Sequence, residues 1–293
     1  MAPFGQVLTA MITPFTSEGE VDYGQVWNLA EYLVETGSDG LVVGGTTGEA
    51  PTLSAEEKVA LFRTVVEAVG DGAAVVGGTG TYDTKESVEL SERAQEVGCH
   101  GLMAVTPYYS RPPQAGLIEH FTAIAEATEL PVLLYNIPSR TGRRIEVETL
   151  AALAEHPSIV GVKDAVGDLA FTTRTRTETP EEFAIYSGDD ILTLPMMSVG
   201  GVGVVSVAAH LAGKQVKRMV VAAASEDWKA ARSLHLALAP LCEALFWEPN
   251  PIPVKAALGA LWGPVGEPRS PLVAASDETI RVVKEALARA QKE

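Results

Sequence analysis

The sequence is poor in cysteine, in histidine and in positive charge. Only two of its 293 residues are cysteines, Cys99 and Cys242, which excludes a disulfide framework or a zinc-binding spacing and indicates a reducing compartment. The five histidines are scattered and form no HExxH motif. With 22 basic against 38 acidic residues, the net charge is −16, so the surface repels nucleic acid and anionic membranes. An anionic substrate therefore needs locally concentrated cations.

The sequence also lacks the features of a targeting or membrane-spanning segment. The first residues, MAPFGQVLTAMITPF, include no basic side chain, unlike a signal or transit peptide. Residues 191–213 carry no formal charge and are long enough to suggest a transmembrane helix, but Pro195, Gly200 and Gly203 interrupt them. We interpret this segment as a buried helix followed by a buried strand, and we expect the protein to be cytoplasmic.

Short apolar runs alternate with amphipathic segments along the chain. The runs are continuous rather than alternating in polarity, which is typical of strands buried on both faces of a parallel sheet. Two of the intervening helices are predicted to begin at capping boxes, Ser54 with Glu57 and Asp83 with Glu86. The predicted strands are residues 7–13, 40–45, 73–80, 101–107, 131–137, 159–165, 182–188 and 203–209.

This alternation predicts an α/β protein with a (β/α)8 barrel. A doubly wound open sheet is the alternative, but no GxGxxG motif follows the first strand and the eightfold repeat is complete. The segments after the eighth strand are predicted to be helical. We therefore predict a catalytic barrel over residues 1–224 and a C-terminal helical domain over residues 225–293.

Polar side chains follow several of the predicted strands. The carboxyl ends of barrel strands meet at one rim, where the active site of such a fold lies. Several chemical groups on one rim are a stronger indication of a site than any one of them alone. They are the hydroxyls of Thr46, Thr47, Tyr108, Tyr109 and Tyr135, the guanidinium of Arg140 and the amine of Lys163.

Lys163 is the most unusual of these because it lies within the apolar run IVGVKDA. Lysine is rarely buried, and burial disfavours the charged form of an amine. A neutral amine can form a Schiff base with a carbonyl compound, and the iminium then acts as an electron sink for carbon–carbon bond chemistry. The alternative is a lysine that snorkels to solvent or pairs with Asp164 or another carboxylate. The polar rim favours the catalytic interpretation.

Arg140 and the threonines are suited to binding carboxylates. A guanidinium can hold a carboxylate through two hydrogen bonds, although a surface arginine is equally consistent with the turn in which Arg140 lies. Thr46 and Thr47 could hold a second carboxylate or only stabilise their own turn. Tyr135 could transfer protons or be an ordinary core tyrosine.

Seven segments resemble, in order, the 4-hydroxy-tetrahydrodipicolinate synthase family, also called dihydrodipicolinate synthase. The resemblance covers essentially the full length, and YNIPSRTG followed by the lysine of the sixth strand is its most specific part. It implies a (β/α)8 barrel with a C-terminal helical domain, within the superfamily of pyruvate-dependent class I aldolases and N-acetylneuraminate lyase. The segments are TAMITPF, GGTTGE, VTPYY, YNIPSRTG, GVKDA, SGDD and NPIPVKAAL.

The resemblance implies a reaction in which Lys163 forms a Schiff base with pyruvate. The resulting enamine adds to L-aspartate 4-semialdehyde, in the diaminopimelate route to lysine. No metal or organic cofactor is implied, and the implied assembly is a homotetramer built from two dimers. By resemblance, Tyr135 donates and accepts protons, and Thr46 and Tyr109 complete the proton relay, with Tyr109 reaching into a neighbouring subunit. Thr47 binds the carboxylate of pyruvate, and Val205 lines the pyruvate site. Arg140 binds the carboxylate of the semialdehyde, and Gly188 offers its carbonyl to the substrate.

The resemblance further implies a possible effector site for L-lysine. Some family members bind lysine at the dimer interface through a glutamate and a tyrosine, and Glu86 and Tyr108 stand at the matching positions. Ala55 and Lys58 stand where some inhibited members have histidines, and Tyr82 replaces a common asparagine. Because a cationic Lys58 would repel a cationic effector, we expect weak inhibition or none.

Two alternative functions are considered. Related enzymes share the lysine and the YN.P motif, so the first alternative is a 2-keto-3-deoxy sugar acid aldolase or an enzyme like N-acetylneuraminate lyase. The second is a non-catalytic barrel that binds a keto acid. The threonine pair and the arginine of SRTG favour the synthase over the first, and the lysine with its relay hydroxyls argues against the second.

Overall fold

Eight parallel strands close into a barrel in the computed structural model, which describes residues 2–292. Each strand pairs with the next along the chain, and the last pairs with the first. The predicted barrel is therefore confirmed, and the open sheet is wrong. The strands are shorter than the apolar runs because turns begin early; the second, for example, ends before Gly44, which has a φ of +68°. They are β1 (Val7–Ala10), β2 (Gly40–Val43), β3 (Ala74–Gly78), β4 (Gly101–Val105), β5 (Val132–Asn136), β6 (Ile159–Asp164), β7 (Ala184–Ser187) and β8 (Gly203–Ser206).

Helices connect the strands and continue after the eighth. Those between the strands pack on the outside of the barrel, as a parallel sheet requires. The helices are α1 (Tyr23–Glu35), α2 (Ala55–Val69), α3 (Thr84–Glu96), α4 (Gln114–Glu126), α5 (Pro138–Thr141), α6 (Val147–Ala154), α7 (Leu169–Glu178), α8 (Thr193–Met197), α9 (Ala209–Ala224), α10 (Trp228–Ala244), α11 (Ile252–Leu261) and α12 (Asp277–Ala290).

The strands separate two hydrophobic clusters. Their outward side chains pack against the helices in the larger cluster, and their inward side chains fill the barrel. Successive residues of a strand point to opposite sides, so both sides of each strand are buried and most strand positions are apolar. The inner cluster consists of Phe4, Leu8, Ala10, Val42, Val76, Met103, Leu133, Tyr135, Ala184, Tyr186 and Val205.

One of the two predicted capping boxes forms completely. The Ser54 hydroxyl accepts from the backbone N–H of Glu57 at 3.1 Å, and the Glu57 carboxylate accepts from the Ser54 N–H at 2.8 Å. At α3 only half of the box is present. Asp83 accepts from the Glu86 N–H, but its own N–H donates to the hydroxyl of Thr81, which also donates to the Glu86 carboxylate at 3.2 Å. The predicted box at Asp83 is therefore wrong, because Thr81 competes for both partners.

The uncharged segment 191–213 folds as predicted, with the short helix α8 followed by the buried strand β8. Among residues 2–292, no helix is both long and apolar enough to cross a membrane. The C-terminal part is helical as expected, and a break at residues 225–227 separates α9 from α10. Asp227 makes this break by accepting a hydrogen bond from the Ala230 N–H at 3.0 Å as the N-cap of α10. The boundary between domains at residues 224 and 225 stays a prediction.

His210 joins the end of β1 to the start of α9. Its Nε2 accepts from the backbone N–H of Ile12 at 3.1 Å, and its Nδ1 donates to the carbonyl of Val207 at 2.9 Å. The ring is therefore neutral, because a proton on Nε2 would face another donor. Burial lowers the pKa of His210 to about 4.

We expect His210 to lower the free energy of unfolding on mild acidification. As the pH falls through the unfolded histidine's pKa of about 6.5, the unfolded chain binds a proton that the folded chain does not, so unfolding is favoured. At pH 5 this contributes about 2 kcal/mol. The free energy of unfolding in urea, measured at pH 7.5 and pH 5.0, should thus fall by about 2 kcal/mol less in His210→Gln than in the original chain. Equal losses in the two proteins would contradict this assignment.

Candidate active site

Lys163 points into the barrel from β6, between Tyr135 of β5 and Tyr186 of β7 in register. Its side chain is buried, with 5% of the residue exposed, and its Nζ lies 4.1 Å from the centroid of the Tyr135 ring. Among residues 2–292, no carboxylate lies within 4.0 Å of this Nζ. The amine therefore contacts an aromatic face, and no ion pair among residues 2–292 engages it.

Asp164 points away from Lys163, although it is the next residue. Its carboxylate accepts from the Thr172 hydroxyl at 2.7 Å and from the Val166 N–H at 3.0 Å, on the side of α7. Burial raises the pKa of Asp164. The pairing of Lys163 with Asp164 that the sequence left open is therefore wrong, because neighbouring residues of a strand face opposite sides of the sheet.

A cavity of about 240 Å³ lies at the carboxyl ends of strands β2 to β5. Its polar lining comes from the turn after β2, the segment after β4, the end of β5 with α5, and Lys58 of α2. The residues that the sequence placed on this rim and that line the cavity are Thr46, Tyr108, Tyr135 and Arg140. Tyr135 also contacts Lys163, so it connects the cavity to the amine.

The two threonines of the turn face different partners. Thr46 lines the cavity, whereas Thr47 is buried and its hydroxyl accepts a hydrogen bond from Nδ2 of Asn250 at 2.9 Å. The turn is closed by hydrogen bonds from the Ala50 N–H to the carbonyl of Gly45 and from the Glu49 N–H to the carbonyl of Thr46. Thr47 therefore connects the turn to the C-terminal helical part.

Arg140 lies on the exposed side of the cavity, on the single turn of α5 that ends at Gly142 with a φ of +69°. Its Nη2 donates to the backbone carbonyl of Asn250 at 3.2 Å. The guanidinium is thus held beside the cavity while most of its donors remain available for a carboxylate.

Tyr109 is not brought to the cavity of its own chain. It is 95% exposed and has a φ of +68°, a conformation that a residue other than glycine adopts at some cost in energy. The predicted relay partners Thr46 and Tyr109 are therefore not assembled within one chain. Its neighbour Tyr108 does line the cavity and makes an edge-to-face contact with Tyr82, with ring centroids 5.2 Å apart.

The proposed effector residues lie near Lys58. Lys58 is buried on α2 and lines the same cavity as Tyr108. Burial lowers the pKa of Lys58, and the nearby carboxylate of Glu86 opposes this change. Burial also raises the pKa of Tyr108, with smaller contributions in the same direction from Tyr82 and Glu86. The lysine therefore occupies space and carries charge in the region where the effector was expected.

Val205 and Gly188 lie at the ends of β8 and β7. Val205 belongs to the inner cluster, with its Cα opposite that of Leu8. Gly188 donates its N–H to the carbonyl of Asp164 at 2.7 Å, and a Cβ at this position would lie 2.7 Å from the Cβ of Ala165, so the approach requires glycine. Neither lines the 240 Å³ cavity.

Two aspartates support this end of the barrel. Asp189 caps the short helical turn that follows it by accepting from the Ile191 N–H. Asp190 does not, because its buried carboxylate accepts from the Ser206 hydroxyl and from the N–H groups of Val207 and Ala208. Burial raises the pKa of Asp190, and these donors oppose the change.

A buried ion pair that the sequence did not reveal anchors the threonine turn. The Nζ of Lys255 on α11 lies 2.7 Å from Oε1 of Glu49, and the two side chains are 0% and 1% exposed. The same Nζ lies 3.9 Å from the centroid of the Phe15 ring, and Glu49 Oε2 accepts from the Arg269 N–H at 2.8 Å. Burial lowers the pKa of Lys255 to about 8, although Glu49 favours its charged form.

Glu49, Asn250 and Lys255 are the site-related residues that sequence reasoning missed. All three lie within motifs that carried the family resemblance, GGTTGE and NPIPVKAAL, but no role was given to them. The partners are separated by 206 residues for the ion pair and by 203 residues for Asn250 and Thr47. Only the docking of α11 against the barrel brings them together.

Comparisons with known proteins identify the family and the fold of the chain. Residues 3–290 match the Dihydrodipicolinate synthetase family. The chain is 54% identical over 290 residues to the 4-hydroxy-tetrahydrodipicolinate synthase of Moorella thermoacetica, covering 99% of this chain and 98% of the relative. Among solved structures, a dihydrodipicolinate synthase from Bacillus anthracis is 44% identical, with a TM-score of 0.95 and coverage of 98% of this chain and 99% of that chain. A DHDPS from Cyanidioschyzon merolae with lysine bound is also 44% identical, with a TM-score of 0.96 and 99% of both chains covered.

We expect Glu49→Gln to destabilise the protein strongly at pH 7. The substitution leaves the ammonium of Lys255 buried without its counter-ion, which costs about 3–5 kcal/mol. The free energy of unfolding in urea measures this loss. Glu285→Gln is the matched control, because it removes the exposed partner of Arg281 and should change the free energy little. Similar small effects of both substitutions would show that the buried pair is not an anchor.

Proposed function

The chain belongs to the dihydrodipicolinate synthetase family, and we infer that it has the activity of a 4-hydroxy-tetrahydrodipicolinate synthase, a lyase of the class I aldolase type. It condenses pyruvate with L-aspartate 4-semialdehyde in the diaminopimelate route to lysine. The single observation that carries the proposed mechanism is Lys163, a buried lysine at the carboxyl end of a barrel strand, against a tyrosine ring and outside any ion pair of residues 2–292.

The proposed reaction begins with attack of the Lys163 Nζ on the ketone carbon of pyruvate, followed by loss of water to give the iminium. Tyr135 supplies the proton with which this water leaves, and the resulting phenolate then accepts a proton from the methyl carbon, which leaves an enamine. The enamine carbon forms a bond to the aldehyde carbon of the semialdehyde, and the resulting alkoxide takes up a proton. Finally, the amino group of the semialdehyde attacks the iminium carbon, closes the ring and breaks the bond to Nζ, so that Lys163 is regenerated.

Local cations and hydroxyls support the binding of both substrates. We propose that Thr47 binds the carboxylate of pyruvate and that Arg140 binds the carboxylate of the semialdehyde. Val205 would line the pyruvate site, and the Gly188 carbonyl would accept from the substrate. Arg140 beside the cavity supplies the concentrated positive charge that a chain of net charge −16 needs to attract anions.

The two alternative functions have no observation in their favour. A sugar acid aldolase or a non-catalytic barrel would share the fold and the lysine. The relative at 54% identity over nearly the whole chain bears the synthase name instead. The Thr46–Thr47 turn and Arg140, which favour the synthase, both border the cavity.

Tyr109 supports a dimer in which each subunit completes the active site of the other. A tyrosine held 95% exposed beside the rim, in a segment with Pro112 and Pro113, is available to a second subunit. We propose that it enters the partner's cavity and joins Thr46 in the proton relay, and that two such dimers form a tetramer. The cytoplasm is the proposed location, since two buried free thiols suit a reducing compartment.

For L-lysine as an effector, we propose that Glu86 and Tyr108 alone give weak binding or none. Lys58 lines the cavity beside Tyr108 and repels a second ammonium group there. The Glu86 carboxylate, which an effector's ammonium would need, already interacts with Lys58 and with the Thr81 hydroxyl.

We expect borohydride to trap a three-carbon adduct of pyruvate on Lys163, identified by peptide mass. Lys163→Arg keeps the positive charge but cannot form the imine, so both adduct and turnover should be lost. Turnover of the original chain should require pyruvate with the semialdehyde and should be absent with sugar aldehydes. An adduct on Lys255 or Lys214, or turnover only with sugar aldehydes, would overturn the assignment.

We expect subunits with different defects to restore activity to each other. Tyr109→Phe and Lys163→Ala homo-oligomers should each be nearly inactive. In a heterodimer of the two, one of the two sites has both Lys163 and a partner's Tyr109, so the rate should be about half that of the original dimer. Differently tagged subunits allow such heterodimers to be purified. No recovery in purified heterodimers would mean that each subunit builds its own site.

A further inference from the structure

We propose that Asn250 is a positioning residue that makes the hydroxyl of Thr47 a hydrogen-bond donor toward the carboxylate of pyruvate. The inference rests on the proposed function, in which Thr47 binds this carboxylate. Asn250 follows the barrel strands in the sequence, just before α11, and is buried, with 6% of the residue exposed. Its side-chain nitrogen donates to Thr47 Oγ1 at 2.9 Å.

The direction of this hydrogen bond decides what Thr47 can do. A hydroxyl carries one proton and two lone pairs. Because Thr47 Oγ1 accepts from the Asn250 amide, its own proton is not used in that bond, and the hydroxyl donates to no other residue among 2–292. A substrate carboxylate placed beside Thr47 therefore meets a donor, rather than a lone pair that would repel it.

The role proposed for Asn250 depends on the observed orientation of its buried amide. Nδ2 faces Thr47 Oγ1, and Oδ1 has no partner among residues 2–292. The opposite orientation would place Oδ1 against the Thr47 hydroxyl and take up its proton, so it would give Thr47 the opposite role.

The ion pair of Lys255 and Glu49 holds both partners of this hydrogen bond. Glu49 is two residues after Thr47, and Lys255 lies on the first turns of α11, its N–H bonded to the carbonyl of Pro251 next to Asn250. The ion pair and the amide–hydroxyl bond thus join the same two segments at two points. The turn cannot move away from Asn250 without separating two buried charges.

Asn250 also contacts Arg140, the residue proposed to bind the semialdehyde, but only through its backbone. Its carbonyl accepts from Arg140, and this contact survives any change of the side chain. Substitutions of the Asn250 side chain should therefore affect the pyruvate carboxylate more than the semialdehyde carboxylate. This asymmetry separates positioning from a general loss of structure.

The test compares Asn250→Asp with Asn28→Asp, which makes the same chemical change on the exposed surface of α1. The aspartate at position 250 accepts the Thr47 proton and adds negative charge beside the pyruvate carboxylate. We expect KM for pyruvate, and the pyruvate concentration for half-maximal borohydride trapping on Lys163, to rise about tenfold or more, as for loss of one charge-assisted hydrogen bond. KM for the semialdehyde should change less than about threefold, and Asn28→Asp should change neither.

A second comparison asks whether Asn250 acts through Thr47. Asn250→Ala should raise KM for pyruvate in the original chain but cause no further rise in Thr47→Val, which has no hydroxyl to orient. Borohydride trapping on Lys163 measures the saturation of both variants by pyruvate, so low turnover does not prevent the comparison. Should Asn250→Asp not fold, Asn250→Ser keeps a polar group of smaller size and should give the same selective rise.

The outcomes distinguish this inference from the proposed function. Unchanged pyruvate saturation in the Asn250 variants, an equal rise for both substrates, or the same effect of Asn250→Ala with and without the Thr47 hydroxyl would overturn the positioning role while the function stands. If the original chain traps no pyruvate on Lys163, the proposed function fails, and the inference fails with it.

Discussion

The buried contact between Lys255 and Glu49 is the interaction on which the site depends. A buried ion pair seldom adds much to net stability, because desolvation of the two charges offsets their attraction, but breaking it is costly. Such a contact therefore fixes position more than it stabilises the fold. Here it holds the threonine turn after β2 against α11, and Asn250 next to α11 contacts both Thr47 and Arg140. The barrel alone would leave this turn without its anchor.

Two buried lysines show how the same side chain is used in opposite ways. Lys255 has a carboxylate at 2.7 Å, a carbonyl and an aromatic face, and these contacts favour its charged form against the effect of burial. Lys163 has an aromatic face but no carboxylate within 4.0 Å among residues 2–292. The first amine is held by the protein in an ion pair, whereas the second forms none among residues 2–292, which suits the role proposed for it. Sequence context alone distinguishes them poorly, since both lie in apolar segments.

Much of the fold and part of the site follow from the sequence for one physical reason. Continuous apolar runs mark strands buried on both faces, and parallel strands in a barrel bring their carboxyl ends to one rim, which placed Tyr135, Arg140 and Lys163 together. The outward direction of Asp164 also follows from the alternation of a strand. The role of Asn250 could not be predicted, because a contact across 203 residues depends on how α11 docks. The capping box at Asp83 forms only in part for a local reason, because the hydroxyl of Thr81 competes for its hydrogen bonds.

The late position of Asn250 and Lys255 in the chain has a consequence for biosynthesis. The ribosome synthesises the chain from the N-terminus, so all eight barrel strands emerge before α11 does. During that interval Glu49 lacks Lys255 and Thr47 lacks Asn250. The nascent protein therefore carries Lys163 before these contacts exist, and under the proposed function it gains a complete active site only when the last part of the chain has been made and docked.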